Sequence, residues 1–292
     1  MLTHAAAVGI ARISDRASGL FTMLPAAHAP LSACIIAFNE ADRIAACLAS
    51  LAFCDEIVVV DSRSTDTTRA IAAAHGARVI ERDWSGYRAQ KQFALEACTH
   101  DWVLCLDADE VVGASLRKEI EGLRACAFDD GVAGYSMPRC TEYFGRMIRR
   151  GAWYPDRKLR LVDRRRARWG GREIHEKLIA DGPVRRLAGE LEHYSYRDLA
   201  DQLARLERYA ELMARALHAE GRRARWWNLW VNPAWRGFRD LVLKRGILDG
   251  WRGFAIATIE MNYVRQKFLK LWLLDRGLPI NARDRLPPGT PR

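Results

Sequence analysis

The stretch Val103-Leu-Cys-Leu-Asp107-Ala-Asp109-Glu110 decides how this chain is read. A continuous apolar run ends abruptly in two carboxylates at i and i+2, with a third acid directly behind them. Continuity rather than alternation marks a strand buried on both faces. Three acids at the tip of such a strand repel one another, so a fold keeps them most readily where something positive comes to sit. A hard divalent cation carrying a phosphate meets that need, because Mg2+ is usually held by one or two carboxylates plus substrate phosphates. A solvated turn after the strand is the competing reading, since Asp is common in turns.

The same grammar repeats on either side. Ser32–Phe38 is an apolar strand that runs into Asn39-Glu40-Ala41-Asp42, which can cap a helix to Leu51. Glu56-Ile-Val-Val-Val-Asp61 is a β-branched run ending in an acid. A polar turn at residues 62–66 leads to a helix up to His75, with Gly76 at its C-cap. Ala77–Ile80 is a third strand, Gly86–Cys98 a helix and Trp102–Leu106 the fourth strand. This alternation is the pattern of right-handed βαβ units around a mostly parallel sheet. Ligands of such sheets bind beyond the carboxyl ends of the strands. Asn39-Glu40, Asp61 and Asp107/Asp109 all lie at such ends, so the sheet brings separate acidic tips toward one crevice. A dinucleotide-binding Rossmann turn needs G-x-G-x-x-G after the first strand. Here that turn is Ala37-Phe-Asn-Glu-Ala-Asp-Arg43, without glycine, and no Walker A loop occurs.

Composition narrows the class. At 292 residues the chain suits one large domain, or one with an appendage. The formal net charge of +10 favours an anionic partner: a nucleotide, a nucleic acid or an anionic membrane surface. The seven cysteines are odd in number and lack any C-x-x-C pair, which argues for a reducing compartment and against structural zinc. Arg12, Asp15 and Arg16 interrupt any signal-like core near the N-terminus. Residues 1–30 read as a disordered extension, with Met23 a possible start, and residues 281–292 as a disordered tail. No apolar run is long enough to span a bilayer.

Three motifs in order carry a resemblance. Ile35-Ile-Ala-Phe-Asn-Glu40, the run from Ile57 through Asp61-Ser-Arg-Ser-Thr-Asp66, and Leu106-Asp-Ala-Asp-Glu110 together resemble the nucleotide-sugar half of family 2 glycosyltransferases. Ala89–Ala94, His193-Tyr-Ser-Tyr196 and Lys244–Gly250 resemble the subgroup of β-1,4-glucosyltransferases that builds the lipopolysaccharide inner core. The resemblance spans residues 31–275 and departs from the family at Arg63, where a small residue is commoner.

It implies an inverting enzyme of the GT-A fold, with a nucleotide-sugar half over residues 31–112 and an acceptor half over 130–195, together the domain 31–200. A helical region over 201–280 follows. The implied donor is a UDP-hexose and the acceptor a lipid-linked or core sugar. Phe38, Asn39 and Glu40 line the base and ribose pocket, Asp61 reads the nucleoside and Asp107 the ribose. Asp109 holds Mg2+ or Mn2+, and Arg88 and Lys91 offset the phosphates. The acceptor-side acid lies in the second half. Glu176 is the first choice for general base, with Glu173 and Asp156 behind it, and His175 orients that acid or meets the diphosphate. His175-Glu176 is not a zinc-protease motif, because Ile179 stands where the second His belongs.

The remaining stretches read more plainly. Residues 111–128 form a helix and Val132–Met137 a strand. The Arg-rich span from Arg146 to Arg172 is either a solvated face or a groove for an anionic acceptor or the diphosphate. Asp201–Glu220 is an amphipathic helix with Leu203, Leu206, Tyr209, Ala210, Met213 and Leu217 on its packed side. Arg222–Phe238 mixes basic and aromatic residues, and Ile256–Leu274 adds an apolar helix. Both suit either a membrane interface, at the cytoplasmic face of the inner membrane, or packing against protein. A polyprenyl-phosphate-dependent transferase, a nucleotidyltransferase and a nucleic-acid-binding protein are the competing functions. No nucleic-acid-binding motif supports the last.

Overall fold

Apolar runs that are buried on both faces need a helical layer on each side. The computed structural model describes residues 28–172, 175–281 and 284. In it, β1 (Leu31–Ala37), β2 (Glu56–Asp61), β3 (Arg78–Glu81) and β4 (Trp102–Asp107) pair in parallel in the order β3-β2-β1-β4. They alternate with α1 (Ile44–Ser50), α2 (Thr68–Ala74) and α3 (Tyr87–Ala97). Along β1, Ala33, Ile35 and Ala37 face α1, while Cys34 and Ile36 face the layer of α3. Both faces are therefore core. The expected strands form where they were read. Helix α1 starts at Ile44, later than the polar residues at 39–42 suggested, because the Glu40 carbonyl accepts the Arg43 and Ile44 N–H groups in a preceding turn.

The second half departs from the expected helix over 111–128. Residues Glu110–Val112 form a short strand, β5, before α4 (Ala114–Ala125). Then come β6 (Gly134–Glu142), β7 (Met147–Ile148), β8 (Asp156–Asp163), β9 (Ala167–Arg172), β10 (His175–Ala180), β11 (Val184–Arg186) and β12 (Leu191–His193). Strand β8 joins β4 antiparallel and the sheet continues β8-β6-β12-β5, while β9 and β10 form a separate antiparallel hairpin. The pairing of β5 with β12 sets His193 opposite Glu110. Two apolar residues in β5 are too few to announce a strand, and the partner lies about 80 residues downstream.

Three long helices close the chain: α5 (Leu199–Ala219), α6 (Asn228–Phe238) and α7 (Trp251–Leu274). The packed edge of α5 is narrower than its pattern implied. Gln202, Ala210 and Ala214 are buried, whereas Leu203 and Tyr209 are exposed. Helix α7 begins before the expected Ile256, and a glycine permits it. A Cβ on Gly253 would stand 1.9 Å from the Gly246 carbonyl oxygen, so only glycine lets α7 press against the 246–249 turn. No helix among the described residues is long and apolar enough to cross a membrane.

One lateral brace is testable. Glu56 accepts hydrogen bonds from Ser32 Oγ at 2.6 Å, Thr99 N at 2.8 Å and Arg78 at 2.8 Å, joining three segments at the edge opposite the site. Burial pushes its carboxyl up, but these donors outweigh it and hold the pKa at about 2. The unfolded carboxyl titrates near ~4.3. The stabilisation is thus full above that value and lost as pH falls through about 2. Glu56→Gln is expected to lower stability near neutral pH by on the order of 2 kcal/mol after solvent screening. Melting curves should show the gap to the parent closing in acid; a gap constant with pH would rule the brace out.

Candidate active site

Parallel register places the candidate residues at one edge. Ala37 pairs with Asp61, and Ile36 with Asp107, so the loops after β1, β2 and β4 open side by side. The first two are stitched together. Asn39 takes a left-handed φ of 55°, which asparagine tolerates better than most residues. Its Oδ1 accepts from Thr65 N at 2.8 Å, and its N–H donates to Ser64 Oγ at 2.9 Å. Asp61 is fully buried and accepts from Ser64 N at 2.7 Å and Ser64 Oγ at 2.5 Å. Phe38 stands 55% exposed on the same rim. Arg63, the departure from the family pattern, turns to an exposed ion pair with Asp83.

The acid cluster divides into two environments. Asp107 and Glu110 are met by the protein's own cations. Lys91 Nζ lies 2.8 Å from Asp107 Oδ1, and Arg160 bridges Asp107 Oδ2 and Glu110 Oε1 at 2.7 Å each. Arg139 reaches Glu110 at 3.2 Å and Asp156 at 2.7 Å. Burial pushes the Asp107 carboxyl up, yet Arg160 and Lys91 carry it well below the usual range. The expectation that one external cation answers all three acids is therefore corrected. Two of them belong to an internal ion network, whose buried charges are tolerable because each is paired.

Asp109 is held at longer range than the other two acids. Its Oδ2 lies 3.5 Å from His193 Nε2 and 3.7 Å from Arg43. Burial raises its pKa, but the hydrogen bond and charge of His193 bring it below the ordinary value. The other imidazole nitrogen, Nδ1, shares a 3.1 Å hydrogen bond with Thr141 Oγ1. With Nδ1 fixed by Thr141, His193 turns Nε2 toward Asp109, so a cation between them would take one oxygen and one nitrogen from the protein. Among the described residues no group of three or more His, Cys, Asp or Glu side chains is placed to enclose a metal. Two donors suit a cation that completes its shell with phosphate oxygens and water, so these residues fit a divalent ion of that kind.

Beside this pair lies a cavity of about 300 Å³, lined by Arg139, Thr141, Trp153, Asp156, His193 and Tyr196, among others. Asp156 is thus in the cavity, but Arg139 and Lys158 outweigh its burial and hold its carboxyl low, which weakens it as a base. Glu176 sits on β10 across Lys91 from Asp107, with Lys91 Nζ 2.9 Å from its Oε1. Lys91 itself lies 4.9 Å from the Trp169 ring. Arg88 is exposed on the first turn of α3. His175 opens β10, and Glu173 lies outside the described residues, as do residues 1–27 and most of the expected C-terminal tail. The Arg-rich span does not line a groove as a whole. Arg160 is internal, Arg149 pairs with Glu190, Arg165 with Asp163, and Arg164 and Arg166 donate to backbone carbonyls.

The family model described as Glycosyl transferase family 2 matches residues 32–172, the stretch that contains the ends of β1, β2 and β4 but not Glu176 or His193. A lipopolysaccharide core biosynthesis glycosyltransferase, LpsC, of Rhizobium meliloti (strain 1021) is 33% identical over 79% of this chain and 86% of its own length. The chain belongs to glycosyltransferase family 2. An uncharacterized glycosyltransferase of Rickettsia typhi is 30% identical over 87% of this chain and 89% of its own. Among solved structures, glucosyl-3-phosphoglycerate synthase of Mycobacterium tuberculosis aligns at a TM-score of 0.43 and 16% identity, over 65% of this chain and 78% of that one.

As a member of that family the chain is a glycosyltransferase, and its Rossmann-like, mostly parallel sheet with a helical C-terminal part is the GT-A plan expected from the sequence. In the sequence of this family 2 enzyme, Arg43 and Arg139 stand outside the site motifs, Arg160 stands only within the Arg-rich span, and His193 only within His-Tyr-Ser-Tyr. Arg43 donates to the Tyr194 and Ser195 carbonyls at 3.1 and 3.2 Å, fastening the loop after His193 to the loop after β1. The His-Tyr-Ser-Tyr motif carried the available signal. What was missing was the pairing of β12 with β5 that turns His193 toward Asp109.

Proposed function

We propose that the enzyme moves a hexosyl unit from a UDP-sugar to a hydroxyl of a lipopolysaccharide inner-core or other lipid-linked sugar, with inversion, at the cytoplasmic face of the inner membrane. The observation that carries this reading is the Asp109–His193 pair opening beside the polar cavity. The likeness to LpsC over most of both chains supports the choice of acceptor. Phe38, Asn39 and Glu40 border the base and ribose, and Asp61 holds the loop that meets the nucleoside. Both oxygens of Asp107 serve Lys91 and Arg160, and each keeps a second lone pair for a ribose hydroxyl. Asp109 and His193 hold Mg2+ or Mn2+, which when bound neutralises charge on the diphosphate. Arg88 and Lys91 add positive charge near the phosphates, and His175, the first residue of β10, is assigned to the diphosphate or to orienting Glu176.

The acceptor enters the cavity, where Trp153 and Tyr196 offer aromatic faces and Asp156, held by Arg139, offers an acceptor for sugar hydroxyls. Glu176 takes the proton of the attacking hydroxyl. Its Oε2 makes no hydrogen bond among the described residues, and Lys91 fixes its Oε1. The attack comes from the side opposite UDP and inverts the anomeric centre. The test is a panel of nucleotide-sugars in a thermal-shift assay with and without Mn2+, followed by product analysis. Stabilisation by uridine nucleotides that requires the metal, with release of UDP, is expected. Release of pyrophosphate would make it a nucleotidyltransferase instead.

A further inference from the structure

We propose that the turn after α6 and the start of α7 form a docking face for an anionic bilayer, placed so that the acceptor cavity opens beside the membrane interface. The argument begins with exposure. Ile247, Trp251 and Phe254 are 61%, 59% and 60% exposed and line a shallow apolar depression of about 480 Å³. Trp226, Trp230 and Trp235 stand 66%, 63% and 56% exposed a little earlier in the chain. Large side chains left in water in such number, on neighbouring helices, mark a surface with a partner.

Charge says which partner. The only acids between Arg222 and Phe254 are Asp240 and Asp249. Both are buried, Asp240 against Arg236 and Asp249 near Arg150. Lys244 and Arg245 are exposed with no acidic partner among the described residues, and Arg252 lies 4.6 Å from the Trp251 ring. The stretch 222–254 is thus apolar and aromatic with a fringe of positive charge and no exposed carboxylate of its own. A second copy of the chain would meet this face with the same sign of charge, because a two-fold contact brings identical patches together. An anionic headgroup layer complements it, and Trp beside Arg and Lys suits the interfacial depth. With no helix able to span a bilayer among the described residues, these helices lie on the surface.

Position ties the face to the site. Trp251 is 6.0 Å from the Phe144 ring, Phe144 is 4.7 Å from Tyr143, and Tyr143 is 5.1 Å from Trp153, which lines the cavity. Arg252 donates to the Tyr143 carbonyl at 3.1 Å and the Phe144 carbonyl at 2.6 Å, which ties the start of α7 to the chain just after Thr141 of the cavity lining. Resting on the cavity being the acceptor site, this arrangement lets a sugar on a lipid reach the cavity without leaving the bilayer.

The test is vesicle flotation of the full chain with pure phosphatidylcholine or with phosphatidylcholine containing phosphatidylglycerol, and UDP binding measured on the same samples. The parent is expected to float with the anionic vesicles, less so in high salt. Trp251→Ser/Phe254→Ser, and separately Lys244→Ser/Arg245→Ser, should weaken partitioning at least ~10-fold while keeping UDP binding, which shows that they are folded. A parent that binds UDP but stays out of the vesicle fraction overturns the docking face and leaves the transferase reading intact. Variants that float like the parent overturn it too, as does a dimer that the Trp251/Phe254 variant dissolves in light scattering. Flotation without UDP binding in any metal would keep the face and sink the donor assignment.

Discussion

Asp109→Ala is expected to abolish metal-dependent UDP binding. Of the acids after β4, Asp107 and Glu110 are consumed by Lys91, Arg160 and Arg139. On the proposed reading, Asp109 and His193 carry the protein's share of the cation. With two protein donors, loss of one leaves a single imidazole, a poor holder of a hard ion that prefers oxygen ligands. Altering a residue that only orients a metal ligand typically costs ~10–100-fold in affinity, so losing the ligand itself should cost at least the upper end of that range. Titration calorimetry with UDP, with and without Mn2+, reads the effect directly. If the affinity of Asp109→Ala in Mn2+ equalled that of the parent, the cation would sit elsewhere. Thr141→Val, which loosens His193 Nδ1 without touching the pair, should fall between the two.

Glu176→Gln is expected to leave UDP binding within a few-fold of the parent and to lower kcat for transfer by ~10²–10⁴, the usual contribution of a positioned general base. The amide keeps the shape of the side chain and an oxygen for Lys91, so the donor side should stand. Asp156→Asn is the control that separates the two acids. Asp156 is held low by Arg139 and Lys158 and is assigned to binding the acceptor, so its change should act mainly on KM. Transfer at the parent rate in Glu176→Gln, together with collapse in Asp156→Asn, would exchange their roles.

Much of the first half was legible because its signals are local. A run such as Ile57–Val60 declares a strand by itself, and an acid at its end declares a strand tip. The same locality misled the reading at residues 111–128. There Glu110–Val112 pairs with a strand far downstream, and helix propensity in α4 masked it. The arginines misled it differently. Charge along the chain does not show direction, and Arg160 turned inward to pair with Asp107 and Glu110. The α5 pattern overstated its packed face for a related reason: Ala210 and Ala214 are its fully buried apolar residues, Ala214 in one cluster with Leu271 of α7, and large residues such as Leu203 are left outside.

The sequence by itself determined the layered parallel sheet and the set of carboxylates at its tips, because apolar continuity and terminal acids are properties of single strands. Only the tertiary structure decided which carboxylate was least tightly held. That choice depends on cations delivered from α3, β6 and β8 and on an imidazole delivered by β12, and long-range pairing leaves no periodic trace in a chain.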